Sequence, residues 1–157
     1  MTDDSVALDA LDLARRGAEA MWATDRASQA LGIEVSDVAP GRAVARLTVG
    51  PTMVNGHAIA HGGYVFTLAD TAFAFACNTY GMVTVARSAD ITFVAPARAG
   101  DRLRAEAVER QRSGRSGIYD VTVRREDEPG TPGQVIAEFR GHSRELTSVL
   151  VPPTAES

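Results

Sequence analysis

Asp70 is the most unusual group in this sequence. From Tyr64 to Cys77 nearly every side chain is apolar or small, which predicts a helix that is buried on most sides. An ionised carboxylate in such a helix is costly unless hydrogen-bond partners or a chemical task hold it there. Asp70 is therefore a candidate catalytic residue, and the alternative is a structural carboxylate bonded to Thr67 or to the backbone.

The start of the same helix is a second candidate for chemistry. His61, Gly62 and Gly63 stand directly before the apolar stretch. Free backbone N–H groups and the positive end of the helix dipole can bind an anion or a polarised oxygen there. A carboxylate and an oxyanion site on one buried helix indicate acyl chemistry.

The spacing of these two groups predicts that they cannot act together within one chain. Asp70 lies eight residues after Gly62, which is about 12 Å along a helix that rises about 1.5 Å per residue. One reacting carbonyl cannot lie within about 3 Å of both groups. Two antiparallel copies of the helix solve the problem if each helix start faces the middle of its neighbour.

The elements around this helix predict an α+β protein. A helix is expected at 5–23, a hairpin from 31–38 and 42–49, and the long helix at about 62–79. Strands then follow at 83–94, 102–112, 117–125 and 134–146. The short connections predict antiparallel neighbours, and the sheet must curl around the long helix to cover it. Residues 1–150 are expected to form one domain and 151–157 a disordered tail.

Composition excludes several classes of function. All sixteen basic residues are arginine, so a P-loop or a Schiff-base lysine is absent. A net charge of −4 argues against nucleic acid as the partner, and no apolar run is long enough to span a bilayer. There is no signal-peptide pattern. The single cysteine, Cys77, is consistent with a cytoplasmic protein and is predicted to be a small core residue.

Three segments closely resemble the PaaI-type (phenylacetate-degradation) acyl-CoA thioesterases of the hotdog fold. They are Asn-Gly-His-Ala-Ile-Ala-His-Gly-Gly at 55–63, Leu-Ala-Asp-Thr-Ala followed by Phe-Ala-Phe-Ala-Cys-Asn at 68–78, and Ile-Thr-Phe-Val-Ala-Pro-Ala at 91–97 with Gly-Asp at 100–101. The similarity covers roughly 15–145. It implies a long central helix wrapped by a curved antiparallel sheet, in a dimer or a tetramer of two dimers.

The resemblance also implies an activity. The expected reaction is hydrolysis of aryl- or arylacetyl-CoA thioesters to the free acid and coenzyme A, with no separate cofactor. The backbone N–H of Gly62, with that of Gly63, would hold the thioester oxygen. Asp70 would either activate water as general base or attack directly to give a mixed anhydride, and the sequence leaves both routes open.

Further site residues follow from the same resemblance. Asn55 would hold the water or the substrate carbonyl, or else serve the turn beside Gly56. His61 would contact the thioester or orient the loop, or else cap the helix. Ser88 would place a hydroxyl near the catalytic carboxylate, or else be satisfied within the sheet.

The arginines near the third and fourth strands are candidates for binding the phosphates of coenzyme A. They cluster around strand ends and the turn at 113–117: Arg98, Arg110, Arg112 and Arg115. At the mouth of the site they would bind these phosphates, the alternative being a solvated edge. The aromatic side chains of the long helix, Phe66, Phe73 and Phe75, are expected in the core, where one of them could line the acyl pocket. No metal site is expected, because His57 and His61 lie in a glycine-containing loop and not on one helix face.

Two other functions remain open. A hotdog-fold hydratase or dehydratase would carry a different motif at the helix start. A non-catalytic acyl-CoA-binding module would lack an acidic residue at position 70.

Overall fold

The computed structural model describes residues 3–152, which form three helices and six strands. The helices are α1 (Asp3–Trp22), α2 (Arg26–Ala30) and α3 (Gly62–Cys77). The strands are β1 (Glu34–Ala39), β2 (Arg42–Thr48), β3 (Met82–Phe93), β4 (Arg102–Ser113), β5 (Ser116–Glu128) and β6 (Thr131–Val149). None of the helices in this part of the chain is long and apolar enough to cross a membrane.

The six strands form one antiparallel sheet that wraps around α3. Their order is β1-β2-β4-β5-β6-β3, and α3 contacts all six strands. Alternate residues of the central strands, such as Leu103, Val121 and Phe139, turn inward and bury their side chains with Leu68 and Phe73 of the helix. The predicted α+β architecture, with a long helix inside a curved sheet, is confirmed.

The end of α3 is fixed by a side chain. Asn78 donates its Nδ2 to the carbonyl oxygens of Ala74 and Thr84, at 2.9 and 2.8 Å, and its Oδ1 accepts the N–H of Thr84 at 2.8 Å. These bonds join the last turn of the helix to the start of β3. The helix therefore ends at Cys77, two residues before its predicted end at position 79.

The pairing of β3 differs from the prediction. β3 and β4 are consecutive in the chain and joined by a short link, yet β3 pairs with β6 at the edge of the sheet and β4 pairs with β2 and β5. The link is held at the end of β2, where Gly100 donates to the Val49 carbonyl and Val49 donates to that of Asp101. Two strands joined by a short link are neighbours only when the link is not bonded to another strand. Here the hydrogen bonds at Val49 hold the link beside β2, so β4 begins on the far side of the sheet from β3.

The chain before the sheet holds one element that the sequence pattern does not reveal. The predicted first helix is present as α1, but the five-residue α2 follows it, capped by the Asp25 carboxylate, which accepts the N–H of Ser28. At the other end, Val151 is buried and its N–H bonds to the Gly81 carbonyl, although disorder was expected from residue 151 onward. Residues 153–157 of that predicted tail lie outside the described residues.

Candidate active site

The first turn of α3 leaves one backbone donor free. His61 caps the helix: its Nδ1 accepts the N–H of Gly63 at 3.0 Å, and its carbonyl accepts that of Tyr64 at 3.0 Å. Within residues 3–152 the N–H of Gly62 has no acceptor. The expectation that Gly63 shares in binding the substrate oxygen is therefore wrong, because its N–H is already used, and Gly62 alone presents a donor.

The loop before the helix is organised by Asn55. Its Oδ1 accepts the N–H of His57 at 2.9 Å and of Ile59 at 3.4 Å, and its backbone N–H donates to the Ile59 carbonyl. The turn role foreseen for Asn55 is thus present. Asn55 lines the cavity beside Gly62, and its Nδ2 makes no hydrogen bond within the described residues.

That cavity has a volume of about 470 Å³ and an apolar lining. Ile59 and Ala60 of the loop, Val65 of α3, Pro96 and Ala97 of the link after β3, and Ile136 of β6 form most of its wall. Apart from backbone groups, the only polar contributor is Asn55. A cavity without charged side chains, lined by one or two residues that carry a free donor, suits an acyl group whose carbonyl must be polarised.

Phe93 closes one side of the cavity at the donor itself. A Cβ built on Gly62 would lie 2.7 Å from the Cζ of Phe93, so the ring rests against the Cα of this glycine. No other residue type leaves room for the ring in this position. The sequence motif includes Phe93, but nothing in its spacing marks the residue as part of the site, because the contact joins two distant segments.

Asp70 lies half-buried on α3 without a partner. Its carboxylate makes no hydrogen bond or ion pair within residues 3–152, and burial raises the pKa of this carboxyl above its usual range. Thr67, the expected partner in a purely structural role, instead donates its hydroxyl to the Gly63 carbonyl at 2.9 Å. The structural alternative for Asp70 therefore has no support in the contacts of residues 3–152.

Asp70 belongs to a stripe of α3 that the sheet leaves uncovered. Gly63, Thr67, Asp70 and Ala74, spaced by three and four residues, are each exposed or half-exposed, whereas the opposite side of the helix is buried. Asp70 does not line the cavity beside Gly62. As the spacing predicts, the donor and the carboxylate of one chain do not meet.

Ser88 lies on the outer face of the sheet, away from α3. It pairs with His142 of β6, next to the pair formed by Ala89 and Gly141. Gly141 faces the ring of Phe73 in α3, so Ser88 points to the opposite, outer face. An irregularity in the pairing between Ala86 and Ser88 determines which face Ser88 occupies. The role of Ser88 beside the catalytic carboxylate stays a prediction.

The candidate arginines do not form one cluster. Arg98 follows the cavity-lining segment, is exposed, and has no ion pair or side-chain hydrogen bond within residues 3–152. Arg112 stacks on the ring of Tyr80 at 3.6 Å beyond the opposite end of α3, and Arg115 donates to the Glu145 carbonyl.

Arg110 is likewise engaged, in an ion pair with Asp120 at 3.4 Å. Arg110, Arg112 and Arg115 therefore do not lie with Arg98 beside the cavity of this chain, and their binding of coenzyme A phosphates stays a prediction. Arg98 is the candidate next to the cavity wall.

Two further features do not contribute to the site. Cys77 is buried, and burial raises the pKa of its thiol to about 12, as fits a small core residue. A larger cavity of about 660 Å³ lies on the outer face of the sheet. Its charged side chains largely neutralise one another, as in the bidentate pair of Arg140 with Asp120 at 2.6 and 2.9 Å.

Comparison with known proteins agrees with this geometry. A sequence model described as Thioesterase superfamily matches residues 57–131. Acyl-coenzyme A thioesterase PaaI from Escherichia coli is 40% identical over 135 residues, which are 86% of this chain and 93% of that protein. The chain belongs to the thioesterase superfamily, and its fold is the hotdog fold that the sequence motifs imply.

Solved structures extend the similarity to three dimensions. The E. coli PaaI protein from the phenylacetic acid degradation operon superposes with a TM-score of 0.83 at 38% identity, covering 88% of this chain and 97% of that one. A point mutant of the phenylacetic acid degradation protein PaaI from Thermus thermophilus gives 0.72 at 39% identity, covering 78% of this chain and all of that one.

Proposed function

We propose that this protein hydrolyses acyl-CoA thioesters with an aryl or arylacetyl acyl group, in phenylacetate catabolism. The observation that carries the proposal is the free N–H of Gly62 at an apolar cavity, combined with the unpartnered carboxylate of Asp70. The names of the relatives from E. coli and T. thermophilus support both the reaction and the pathway.

The active site is shared between two copies of the chain. Gly62 of one subunit binds the thioester oxygen, and Asp70 of the partner subunit acts on the carbonyl carbon. The uncovered stripe of α3 supports this arrangement, because two such stripes would cover each other. So does the edge of β3, which within the described residues pairs only with β6 and exposes Val85. The assembly we propose is a dimer, or a tetramer of two dimers.

The Gly62 donor stabilises the charge that develops during the reaction. The carbonyl oxygen becomes negative when the carbon is attacked, and a donor that is already in place needs no reorganisation. The C–S bond then breaks and coenzyme A leaves as the thiolate, a good leaving group that needs no strong general acid. Asn55 lines the same cavity, and its side-chain amide holds the attacking water or the carbonyl.

Asp70 supplies the base or the nucleophile. As a base it takes a proton from water, whose oxygen attacks the carbonyl carbon, and it later passes this proton to the thiolate. As a nucleophile its oxygen attacks the carbon directly, and water then hydrolyses the mixed anhydride. The raised pKa favours either route, since a carboxylate in a desolvated place is more basic than one in water.

Arg98 binds a phosphate of coenzyme A. It follows Pro96 and Ala97 of the cavity wall directly, and its guanidinium is unpaired within the described residues. A guanidinium recognises phosphate through two parallel hydrogen bonds. We place the activity in the cytoplasm, because a chain with one cysteine has no internal disulfide that requires an oxidising compartment.

Release of free thiol from a panel of acyl-CoA esters tests the proposal. Phenylacetyl-CoA and its ring-hydroxylated forms should be hydrolysed with higher kcat/KM than acetyl-CoA or palmitoyl-CoA. Hydration of crotonyl-CoA, measured beside it, identifies a hydratase. Hydration without thiol release would overturn the assignment, and equal or better activity on palmitoyl-CoA would overturn the aryl preference.

A further inference from the structure

We infer that Phe93 selects the acyl group: its ring is the surface of the cavity against which an aromatic acyl group packs. This inference rests on the proposed thioesterase function. The sequence instead points to the phenylalanines of the helix, Phe66, Phe73 and Phe75, and the structure places two of these fully in the core.

Phe93 differs from the other phenylalanines in having no aromatic neighbour. Phe75 contacts Trp22, Phe73 contacts Tyr119 and Phe139, and Phe66 contacts Phe139, with ring centroids 5.4–6.3 Å apart. Phe93 has no such contact within residues 3–152, and it is 54% exposed at the end of β3. One edge of its ring rests on Gly62 and the rest borders the cavity.

The ring of Phe93 lies close to the place where the reacting carbonyl would bind. Phe93 touches the Cα of the residue whose N–H is the free donor, so a group bound at that donor lies beside the ring. A planar acyl group that extends from the carbonyl into the cavity meets an aromatic surface within its first few atoms. Offset or edge-to-face contact with this ring favours an aryl group over an alkyl chain of similar size.

The lining of the cavity indicates that the acyl group enters it and the pantetheine arm of coenzyme A does not. Pantetheine carries two amides, which need hydrogen-bond partners when they leave water. Asn55 is the only side chain of the lining that offers one, and the rest of the wall is aliphatic or aromatic. An aryl or alkyl group has no such requirement.

The inference is tested by comparing two acyl groups in Phe93→Leu and Phe93→Ala, because leucine keeps apolar bulk but removes the ring. The probes are phenylacetyl-CoA and hexanoyl-CoA for turnover, and the corresponding CoA thioethers, with a methylene between sulfur and carbonyl, for binding. Val149→Ala is the matched control: Val149 is a similarly exposed apolar residue, at 59%, near the end of β6 and away from the cavity.

Both Phe93 variants should lower the preference for phenylacetyl over hexanoyl by about tenfold, in kcat/KM and in binding, because an aromatic pair contributes a factor of this size. Val149→Ala should leave the ratio unchanged. An unchanged ratio in Phe93→Leu would overturn the inference. Equal weakening of both acyl groups would also overturn it, because it would place the pantetheine arm against the ring.

The thioether measurements separate this inference from the proposed function. Wild-type protein that binds the thioethers but does not release thiol from the thioesters refutes the proposed reaction, while the binding ratio still decides the role of Phe93. Wild-type protein that binds neither thioether refutes both.

Discussion

The Nδ1 of His61 accepts the backbone N–H of Gly63 at 3.0 Å, and this bond decides which glycine of the pair can serve the substrate. With Gly63 engaged, the N–H of Gly62 is the free donor at the start of α3. The same bond requires an unprotonated Nδ1 and holds the imidazole edge-on to Tyr64, with centroids 6.4 Å apart.

The cap formed by His61 should be measurable as stability. His61→Ala removes the acceptor for the Gly63 N–H, which should cost about 1 kcal/mol, or about 2–4 °C in Tm for a domain of this size. His61→Asn keeps an oxygen that can cap the helix and should recover most of the loss in thermal unfolding. If the asparagine variant is as unstable as the alanine variant, the side-chain cap is not what holds this turn.

The carboxylate of Asp70 should lower the free energy of unfolding at neutral pH, although activity requires it. Because burial raises the pKa of Asp70 in the folded protein, ionising this carboxyl costs folding free energy at every pH above its folded pKa. The cost shrinks as the pH falls through that value and disappears below the unfolded pKa, near 3.8. Asp70→Asn should therefore be more stable than wild type to denaturant at neutral pH, and this advantage should vanish in acid.

The same variant should lose at least about two orders of magnitude in kcat, as is typical when a base or nucleophile is removed. The control is Asp9→Asn, a change at an exposed carboxylate of α1, which should affect neither property. An Asp70→Asn protein that is less stable than wild type at neutral pH would show that the carboxylate has a structural partner. Turnover within tenfold of wild type would remove Asp70 from the mechanism.

Arg98 should contribute to binding only through the nucleotide part of the substrate. Arg98→Gln is expected to raise KM for phenylacetyl-CoA about fivefold to tenfold, the effect of one exposed charge-assisted contact. With the N-acetylcysteamine thioester of phenylacetate, which has no phosphate, KM should not change. Arg112→Gln is the control, since Arg112 is stacked on Tyr80. A KM effect that is the same for both esters would place Arg98 elsewhere in the site.

The sequence predicts the helix and the positions of the candidate groups on it well because both are local. The apolar run around Asp70 and the glycines at its start lie within one segment, and helix geometry alone shows that Asp70 and Gly62 of one chain cannot act together. The curved sheet follows from the need to cover that helix. Each strand is found close to its predicted range.

The errors come from contacts between segments that are distant in the chain. The side on which Ser88 points depends on the pairing irregularity between β3 and β6, and β3 reaches that edge because hydrogen bonds at Val49 hold the following link to β2. Phe93 meets Gly62 across the cavity, and Arg112 finds Tyr80 beyond the end of α3. Neither composition nor spacing encodes such pairs.

Complementation between two inactive variants tests the shared site most directly. Asp70→Asn removes the carboxylate, and Gly62→Val places a branched side chain where the Phe93 ring and the substrate oxygen must lie. Each variant alone should be inactive. In a heterodimer of the two, one of the two sites keeps both Gly62 and Asp70, so an equimolar mixture that exchanges subunits at random should recover roughly one quarter of wild-type activity. No recovery, despite subunit exchange demonstrated by mass spectrometry, would place both groups in the site of a single chain and contradict the account.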